Sequence, residues 1–599
     1  MSKAKGTLTQ LFFETMTGYA DRLPCAYRAK VGGTWQAITH RDAERRARHL
    51  ALGLRELGIQ AGDRVAILSE TRVEWALADF ACLCAQAVDV PIYPTLTAKQ
   101  IEYILSDSGS VGVFCSTAEQ VAKVIEVKAR LPALKHVMAF ESTAARPGVT
   151  LLGDLEAKGK AAEGRYPRFK EDALAVSPDA LATLIYTSGT TGDPKGVMLT
   201  HNNIWSNVQA VLQVLDLGDA EECLAMLPLS HIFERMVDYT LMQAGVIINY
   251  AESFDKVAAN LGEVHPTIVV SVPRLYEKVY ARVLENALSG SAIKRKIFFW
   301  AKGVGEQWAN HRLAGVSIPP WLAFRRGIAD RLVFAKLRAR TGGRIRFFVS
   351  GSAPLSAEIA KFFYSASLPI IEGYGLTETS PACAVNLQHA LRIGTVGRPL
   401  PGVTIRIADD AEILIKGDHV FRGYWSNDAA TAEAIDADGW FHSGDLGELD
   451  DDGYLRITGR KKELIVTAGG KNVSPAVLEE RLRAHPLVSQ CMVVGDRKPF
   501  IAALVTLDED ALSAWKEQHG KPADATVADL RDDDQLRVEI QQAVDEANLA
   551  VSKAEAIKVF RVLPRDFTEA TGEMTPSMKV KRNVVAKQYA DEIAAIYRG

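Results

Sequence analysis

The stretch YTSGTTGDPKGVMLT, residues 186–200, places Gly189, Gly192 and Gly196 among Thr187, Ser188, Thr190, Thr191 and Lys195, directly after the mostly apolar run 182–186. Glycines let successive N–H groups converge on an anion, and hydroxyls and a lysine add further donors. The stretch is not the phosphate loop of P-loop NTPases, whose lysine is followed by Ser or Thr, because Lys195 precedes Gly196. A long hairpin turn would use glycines too, but it has no need of four hydroxyls and a lysine. The stretch therefore reads as an anion cradle.

Around it, strand patterns alternate with helical ones. RVAILSE (64–70) and VGVFCST (111–117) read as strands, and AERRARHLALGLRELG (43–58) as an amphipathic helix. This alternation predicts an α/β architecture up to about residue 440. An acidic turn and a short strand then give way to GRKKELIV (459–466), which marks a boundary and predicts domains over 1–461 and 462–599. In the second, VSQCMVVG (488–495) and AIKVFRVL (556–563) read as strands flanking a charged helical stretch over 509–548. Ser474-Pro475 reads as the cap and first residue of a helix.

The 599 residues are 48% hydrophobic and 24% charged, with a net charge of -3, so the chain does not read as a nucleic-acid binder. Seven cysteines, odd in number and without paired spacing, predict reduced buried thiols and no zinc site. The N-terminal apolar run is too short for a secretory signal, and the weakly polar stretch 80–88 too short for a membrane span. The expected location is the cytoplasm, free or peripheral at the inner face of the membrane. One segment is locally basic: residues 291–346 carry 13 Lys/Arg against Glu306 and Asp330, interleaved with aromatics. It reads either as helices with a solvated basic face or as a membrane-surface patch.

Further motifs follow strands, where α/β folds open their ligand crevice. SGSAPLS (350–356) follows IRFFV, and EGYGLTET (372–379) follows LPII. Glu378 offers magnesium a hard oxygen and Tyr374 offers a base a flat face. Asp445, in WFHSGD (440–445), offers a carboxylate to ribose hydroxyls.

Together, YTSGTTGDPKG, SGSAPL, EGYGLTET, FHSGD and GRKKELIVTAGGKNVSP resemble the AMP-forming acyl-CoA synthetases of the adenylate-forming superfamily, from about residue 40 to 585. PLSHIFERM and RKKELIVTAGGKNVSP most resemble its long-chain fatty acid branch. The resemblance implies a large N-terminal adenylation domain of two α/β sheets plus a small β-barrel, and a small α+β lid. It also implies two half-reactions: a fatty acid carboxylate attacks the α-phosphate of ATP to give acyl-AMP and pyrophosphate, and coenzyme A then displaces AMP. By this resemblance the loop from Thr187 through Ser188, Gly189, Thr190, Thr191 and Gly192 to Lys195 cradles the β and γ phosphates. Gly351, Ser352 and Ala353 sandwich adenine with Tyr374, beside Glu372, Gly373 and Gly375. Thr377 touches the α-phosphate, Glu378 binds magnesium, Asp445 and Arg460 hold the ribose, and His231 lies near the acyl carboxylate.

Lys579, in TPSMKVKR, matches the adenylation lysine, with Ser-Met-Lys here where many relatives have Ser-Gly-Lys. Lys462 matches the lid hinge, and Gly469 and Gly470 would face the site after rotation, leaving room for a pantetheine arm. The expected partners are ATP, magnesium, coenzyme A and a long-chain fatty acid, whose apolar tunnel draws on HIFERMVDYTLMQAGVIINY (231–250). Residues 291–346 could also hold the coenzyme's phosphates, and a homodimer is left open. Three rival functions share these parts: a fatty acyl-AMP ligase loading a carrier protein, an inactive nucleotide-binding scaffold and a luciferase-like oxygenase.

Overall fold

The computed structural model describes residues 5–187, 193–288, 290–575 and 578–598. Two large sheets form the body. One has nine strands, and parallel pairs run through its centre: Ile268–Ser271 lies beside Phe347–Ser350, which lies beside Ile370–Gly375. The other has eight strands, with Arg64–Leu68 between Val88–Ile92 and Gly112–Cys115, all parallel. Val88–Ile92 is buried along its whole length, the carboxylate of Asp89 included, so it shows no alternation of buried and exposed residues.

The predicted strands 64–70 and 111–117 and the helix within 43–58 are present as Arg64–Leu68, Gly112–Cys115 and His40–Glu56. Thr39 caps that helix by accepting from the Asp42 N–H. It packs closely on Leu152–Ala162: a Cβ at Gly159 would meet the His49 carbonyl oxygen at 1.8 Å, so only glycine fits the crossing. A third unit, an antiparallel sheet in the order Thr404–Ile407, Glu412–Lys416, Phe441–Leu449, Leu455–Arg460, stands where the small barrel was expected, and its strand order is open.

Beyond Arg460, Val488–Val494, Ile501–Leu507 and Ile557–Val562 make a three-stranded sheet. Helices Pro475–Arg483 and Asp534–Asn548 cover one face through Leu478, Leu482, Leu536 and Ile540. Phe567, Val585 and Tyr589 cover the other. Ser474 precedes its helix as predicted, but its hydroxyl makes no capping bond; its Oγ is packed against Gly459 instead. All seven cysteines are free and buried.

A buried ionic group ties helix Ile232–Gln243 to helix Val73–Cys84 and to strand Val88–Ile92. Arg235 lies between Asp79 and Asp89 with almost no exposure, and its Nε donates to the Tyr239 hydroxyl at 2.8 Å. Burial alone would lower its pKa, but the two carboxylates hold the guanidinium charged. Removing one partner of such a group leaves uncompensated buried charge. We expect Arg235→Met to lower unfolding stability by about 3–5 kcal/mol in chemical denaturation; a loss under about 1 kcal/mol would contradict this account.

Candidate active site

The crevice is built from strand ends and one lid turn. Thr187, ending Leu181–Thr187, pairs in register with Lys195, which begins Lys195–Thr200, so the two strands on either side of the glycine-rich stretch form an antiparallel pair. Ser188, Gly189, Thr190, Thr191 and Gly192 lie outside the described residues. Short strand Gly423–Tyr424 pairs with the second of these strands, Tyr424 opposite Val197. There the Lys195 ammonium sits 5.0 Å from the Tyr424 ring centroid, and the Tyr424 hydroxyl donates to Glu378 Oε1 at 2.8 Å. Lys195 and Glu378 thus meet through a tyrosine that the sequence reading missed. No periodic signal marks it, because only strand pairing across more than 200 residues brings it there.

EGYG does not lie in a loop beyond its strand. Ile370–Gly375 runs through it, since Gly373 and Tyr374 pair antiparallel with Val385 and Ala384. A Cβ at Gly375 would meet the Pro381 carbonyl oxygen at 1.6 Å, so the strand passes there only as glycine. Gly351, after Phe347–Ser350, is held open for the Phe233 ring, which a Cβ would approach to 2.9 Å. Ser352 follows with φ +70, and Ala353 is exposed. Thr377 and Glu378 form a single helical turn after Gly375.

Asp445 joins two other predicted residues. Its Oδ1 accepts from Arg460 Nε at 2.6 Å and its Oδ2 from the Tyr374 hydroxyl at 2.8 Å. Asp445 and Arg460 are register partners on adjacent antiparallel strands, which fixes the pair. Burial would depress the Arg460 pKa, but Asp445 raises it overall. His231 caps Ile232–Gln243, its Nδ1 accepting from the Phe233 N–H at 3.1 Å. Burial, with the nearby Lys579 charge, pushes the imidazole down to about 3. Its single proton therefore sits on Nε2, and His231 offers the crevice a neutral donor.

Lys579 reaches this crevice from the lid. Glu573, fully buried, accepts from Arg565 Nη2 at 2.5 Å and from the Thr568 N–H at 3.3 Å, and so shapes the Thr/Gly-rich loop. The turn closes as the Thr575 N–H donates to the Lys579 carbonyl at 2.8 Å and the Lys579 N–H to Thr575 Oγ1 at 3.0 Å. Met578 takes φ +63 there, the conformation that glycine adopts freely. Lys579 keeps accessible surface at the tip, yet protein atoms crowd its ammonium. That crowding and the Arg460 charge lower its pKa, while Asp445, Glu463 and Glu378 pull the other way. The neighbouring Arg582 is committed elsewhere, donating to Glu479 at 2.6 Å and to the Val493 carbonyl at 2.5 Å.

The structure thus gathers Lys195, Tyr374, Glu378, Asp445, Arg460, His231 and Lys579. It does not bring Gly469 and Gly470 to them: both are exposed on the lid, and the Gly470 N–H donates to Thr467. Lys462, exposed, lies in the turn Lys461–Glu463, whose first residue is tethered to Asp410 at 2.6 Å and Glu412 at 3.1 Å.

The lid seats on the body through Arg274, which donates to Ser489 at 2.8 Å, and through Arg483, 3.9 Å from Glu277. Two carboxyls also meet across this seam. Burial and then Glu480 push Glu372 up to about 8; burial, with Glu277 and against Arg483 and Arg481, pushes Glu480 up to about 7. A carboxyl whose pKa is raised in the closed arrangement supports closure at low pH and loses that support as pH rises through its raised value. We expect the lid to leave this pose increasingly from about pH 4.5 up to about pH 8 and to level off above, read as rising energy-transfer change between dyes on lid and body. Glu480→Gln should flatten the profile, and an unchanged profile in that variant would refute the assignment.

Comparison with known proteins accords with this geometry. The AMP-binding enzyme family matches residues 12–425, and the AMP-binding enzyme C-terminal domain matches residues 462–599. The long-chain-fatty-acid–CoA ligase FadD15 of Mycobacterium bovis is 47% identical over 95% of this chain and 94% of its own. The long-chain-fatty-acid–CoA ligase ACSBG2 of Xenopus laevis is 34% identical over 99% and 84%. Among solved structures, the adenylation domain of a carboxylate reductase from Mycobacterium chelonae shares the fold with a TM-score of 0.76 at 24% identity, over 100% of this chain and 92% of that one. The chain belongs to the AMP-binding enzyme family.

Proposed function

We propose that the chain activates a long-chain fatty acid with ATP through an acyl-adenylate and transfers the acyl group to coenzyme A. The observation that carries this is the convergence of Lys579, Arg460, Asp445 and Glu378 on one crevice beside a neutral, half-buried His231. Attack of a carboxylate on the α-phosphate builds negative charge on nonbridging oxygens, which the Lys579 ammonium, at the tip of the lid turn, is placed to stabilise. His231 donates from Nε2 toward the acyl carboxylate, orienting it without adding a charge. Asp445, preset by Arg460 and Tyr374, takes the ribose hydroxyls; Gly351, Ser352 and Ala353, with Glu372 and Tyr374, take adenine. The stretch between Thr187 and Lys195 takes the β and γ phosphates, and Thr377 the α-phosphate.

Among the described residues no group of three or more His, Cys, Asp or Glu is arranged to hold a metal. Glu378 alone, with one oxygen on Tyr424 and, among the described residues, no hydrogen bond on the other, fits magnesium, which binds through one or two carboxylates plus substrate phosphates and waters. When bound, the ion would neutralise phosphate charge alongside Lys195 and Lys579.

The domains of this reading are a body over 1–461 and a lid over 462–599, with Lys462 as the hinge. For thioester formation the lid turns there, withdraws Lys579 and brings Gly469 and Gly470 to the crevice. No helix among the described residues is long and apolar enough to cross a membrane; peripheral contact through 291–346 belongs to this reading. The test is pyrophosphate release across fatty acids of graded length. Release that rises with chain length supports the reading, and release with short or aromatic acids alone overturns the long-chain assignment.

A further inference from the structure

The basic segment folds into Ala292–Leu313 and Pro320–Ala329, the latter continuing through Asp330–Phe334 into Ala335–Arg340. Its inner side is fully used. Phe298 packs toward Phe362, Trp308 lies over Tyr364, and a Cβ at Gly305 would strike Phe334 and Ser365. Arg326, buried between the Trp308 and Phe334 rings, donates to Asp330 at 2.8 Å and to the Ser365 carbonyl at 2.6 Å. Arg338 takes the other Asp330 oxygen at 2.7 Å, and Lys302 reaches Glu358 at 2.8 Å and Glu306 at 3.8 Å. Both acidic residues of the segment are thus spent on inward-facing cations.

The outer side has a second apolar stripe. Trp321, Phe324, Ile328 and Leu332, spaced three, four and four residues apart, are 54%, 72%, 38% and 42% exposed. That spacing puts them on one helix face over roughly 16 Å. Ile293, 70% exposed, and Phe299, 44% exposed, extend the apolar surface on the neighbouring helix. A helix anchored on one face has no folding reason to present a tryptophan and a phenylalanine on the other. Cations surround the stripe: Lys294, Arg295, Lys296, Arg312, Arg331 and Lys336 are exposed and, among the described residues, in no ion pair. Arg325 lies 5.6 Å from the Trp300 ring and 5.8 Å from that of Trp321, spanning the two helices.

We propose that this hairpin face docks on an anionic lipid surface, with Trp321, Phe324, Ile328 and Leu332 entering the interface and the unpaired cations meeting the headgroups. Charge selects the occupant. A second copy facing this one across a two-fold axis would set one excess of cations against the same excess, whereas anionic headgroups complement it and the acyl region accepts the stripe. The inference deepens the peripheral contact of the proposed function.

The full chain would be floated, without ATP or fatty acid, with vesicles of phosphatidylglycerol and phosphatidylcholine and with vesicles of phosphatidylcholine alone. We expect it to partition onto the anionic vesicles, more weakly as salt rises, with a blue shift of tryptophan emission. Trp321→Ser/Phe324→Ser should lower partitioning at least about tenfold, and Arg331→Glu/Lys336→Glu should lower it and blunt the salt dependence. These side chains are exposed, so unchanged melting and unchanged turnover of dissolved substrate confirm that the variants fold. No flotation of the wild type, or equal flotation of the stripe variant, would overturn the proposal. So would a concentration-dependent dimer that the stripe variant abolishes, since a second copy would then cover the stripe. Flotation requires no catalysis, so its failure leaves the ligase reading standing, and an inactive protein that still floats would have the converse meaning.

Discussion

Lys579→Ala should lower the rate of fatty-acid-dependent ATP–pyrophosphate exchange by about 10²- to 10³-fold, a loss of about 3–4 kcal/mol of transition-state stabilisation. Release of acyl-CoA from separately supplied acyl-AMP and coenzyme A should change by less than about threefold, under 1 kcal/mol. The split follows from where the residue sits. Its ammonium lies among Arg460, Asp445, Glu463 and Glu378 and close enough to His231 to depress it, at the tip of a turn that belongs to the lid. A residue that held the fold together would damage both half-reactions, and one in solvent would damage neither. Arginine in its place would keep the charge but not the compact point shape, so Lys579→Arg should recover little of the loss.

Asp445→Asn should raise the KM for ATP about 30-fold, near 2 kcal/mol, with a much smaller change in KM for the fatty acid. The carboxylate now satisfies Arg460 and the Tyr374 hydroxyl with separate oxygens. An amide has one acceptor oxygen for two donors, so either the guanidinium or the tyrosine loses its partner and the crevice around Tyr374 loosens. Arg460 keeps about half of its side-chain surface exposed, so water compensates much of its lost pairing and the effect on folding stability should be modest. Comparable increases in KM for both substrates would show instead that Asp445 supports the whole crevice. Titration of each substrate at saturating concentrations of the other separates the two.

Local chemistry made part of this site legible in the chain. The antiparallel pair at Lys195, the strand-end glycines at 351 and 375 and the strand pair carrying Asp445 and Arg460 depend on neighbours a few residues away, and their residue types state the backbone they need. The predicted body strands and the lid strands at 488–495 and 556–563 follow from apolar runs bounded by turns. Tyr424 was not legible, because Gly-Tyr-Trp after Arg422 gains meaning only when its two-residue strand meets Val197 and Met198. Glu573 was not legible either: an acidic residue in a tail loop ordinarily faces solvent, and only the folded turn shows four donors converging on it. Arg235 was not legible either, because its two aspartates lie more than 140 positions upstream. Composition disclosed the cations of 291–346, but not that Asp330 and Glu306 would be drawn inward and leave the outer cations unpaired.

The most direct test of the central claim is a two-stage single turnover. Enzyme, ATP, magnesium and a long-chain fatty acid are mixed without coenzyme A, and the bound nucleotide is identified by mass. Acyl-AMP should form at up to one equivalent per site with release of pyrophosphate, and a chase of coenzyme A should convert it to acyl-CoA and AMP. Acyl-CoA formed with no adenylate at any earlier time, ADP in place of AMP, or an adenylate that coenzyme A does not discharge would contradict the account.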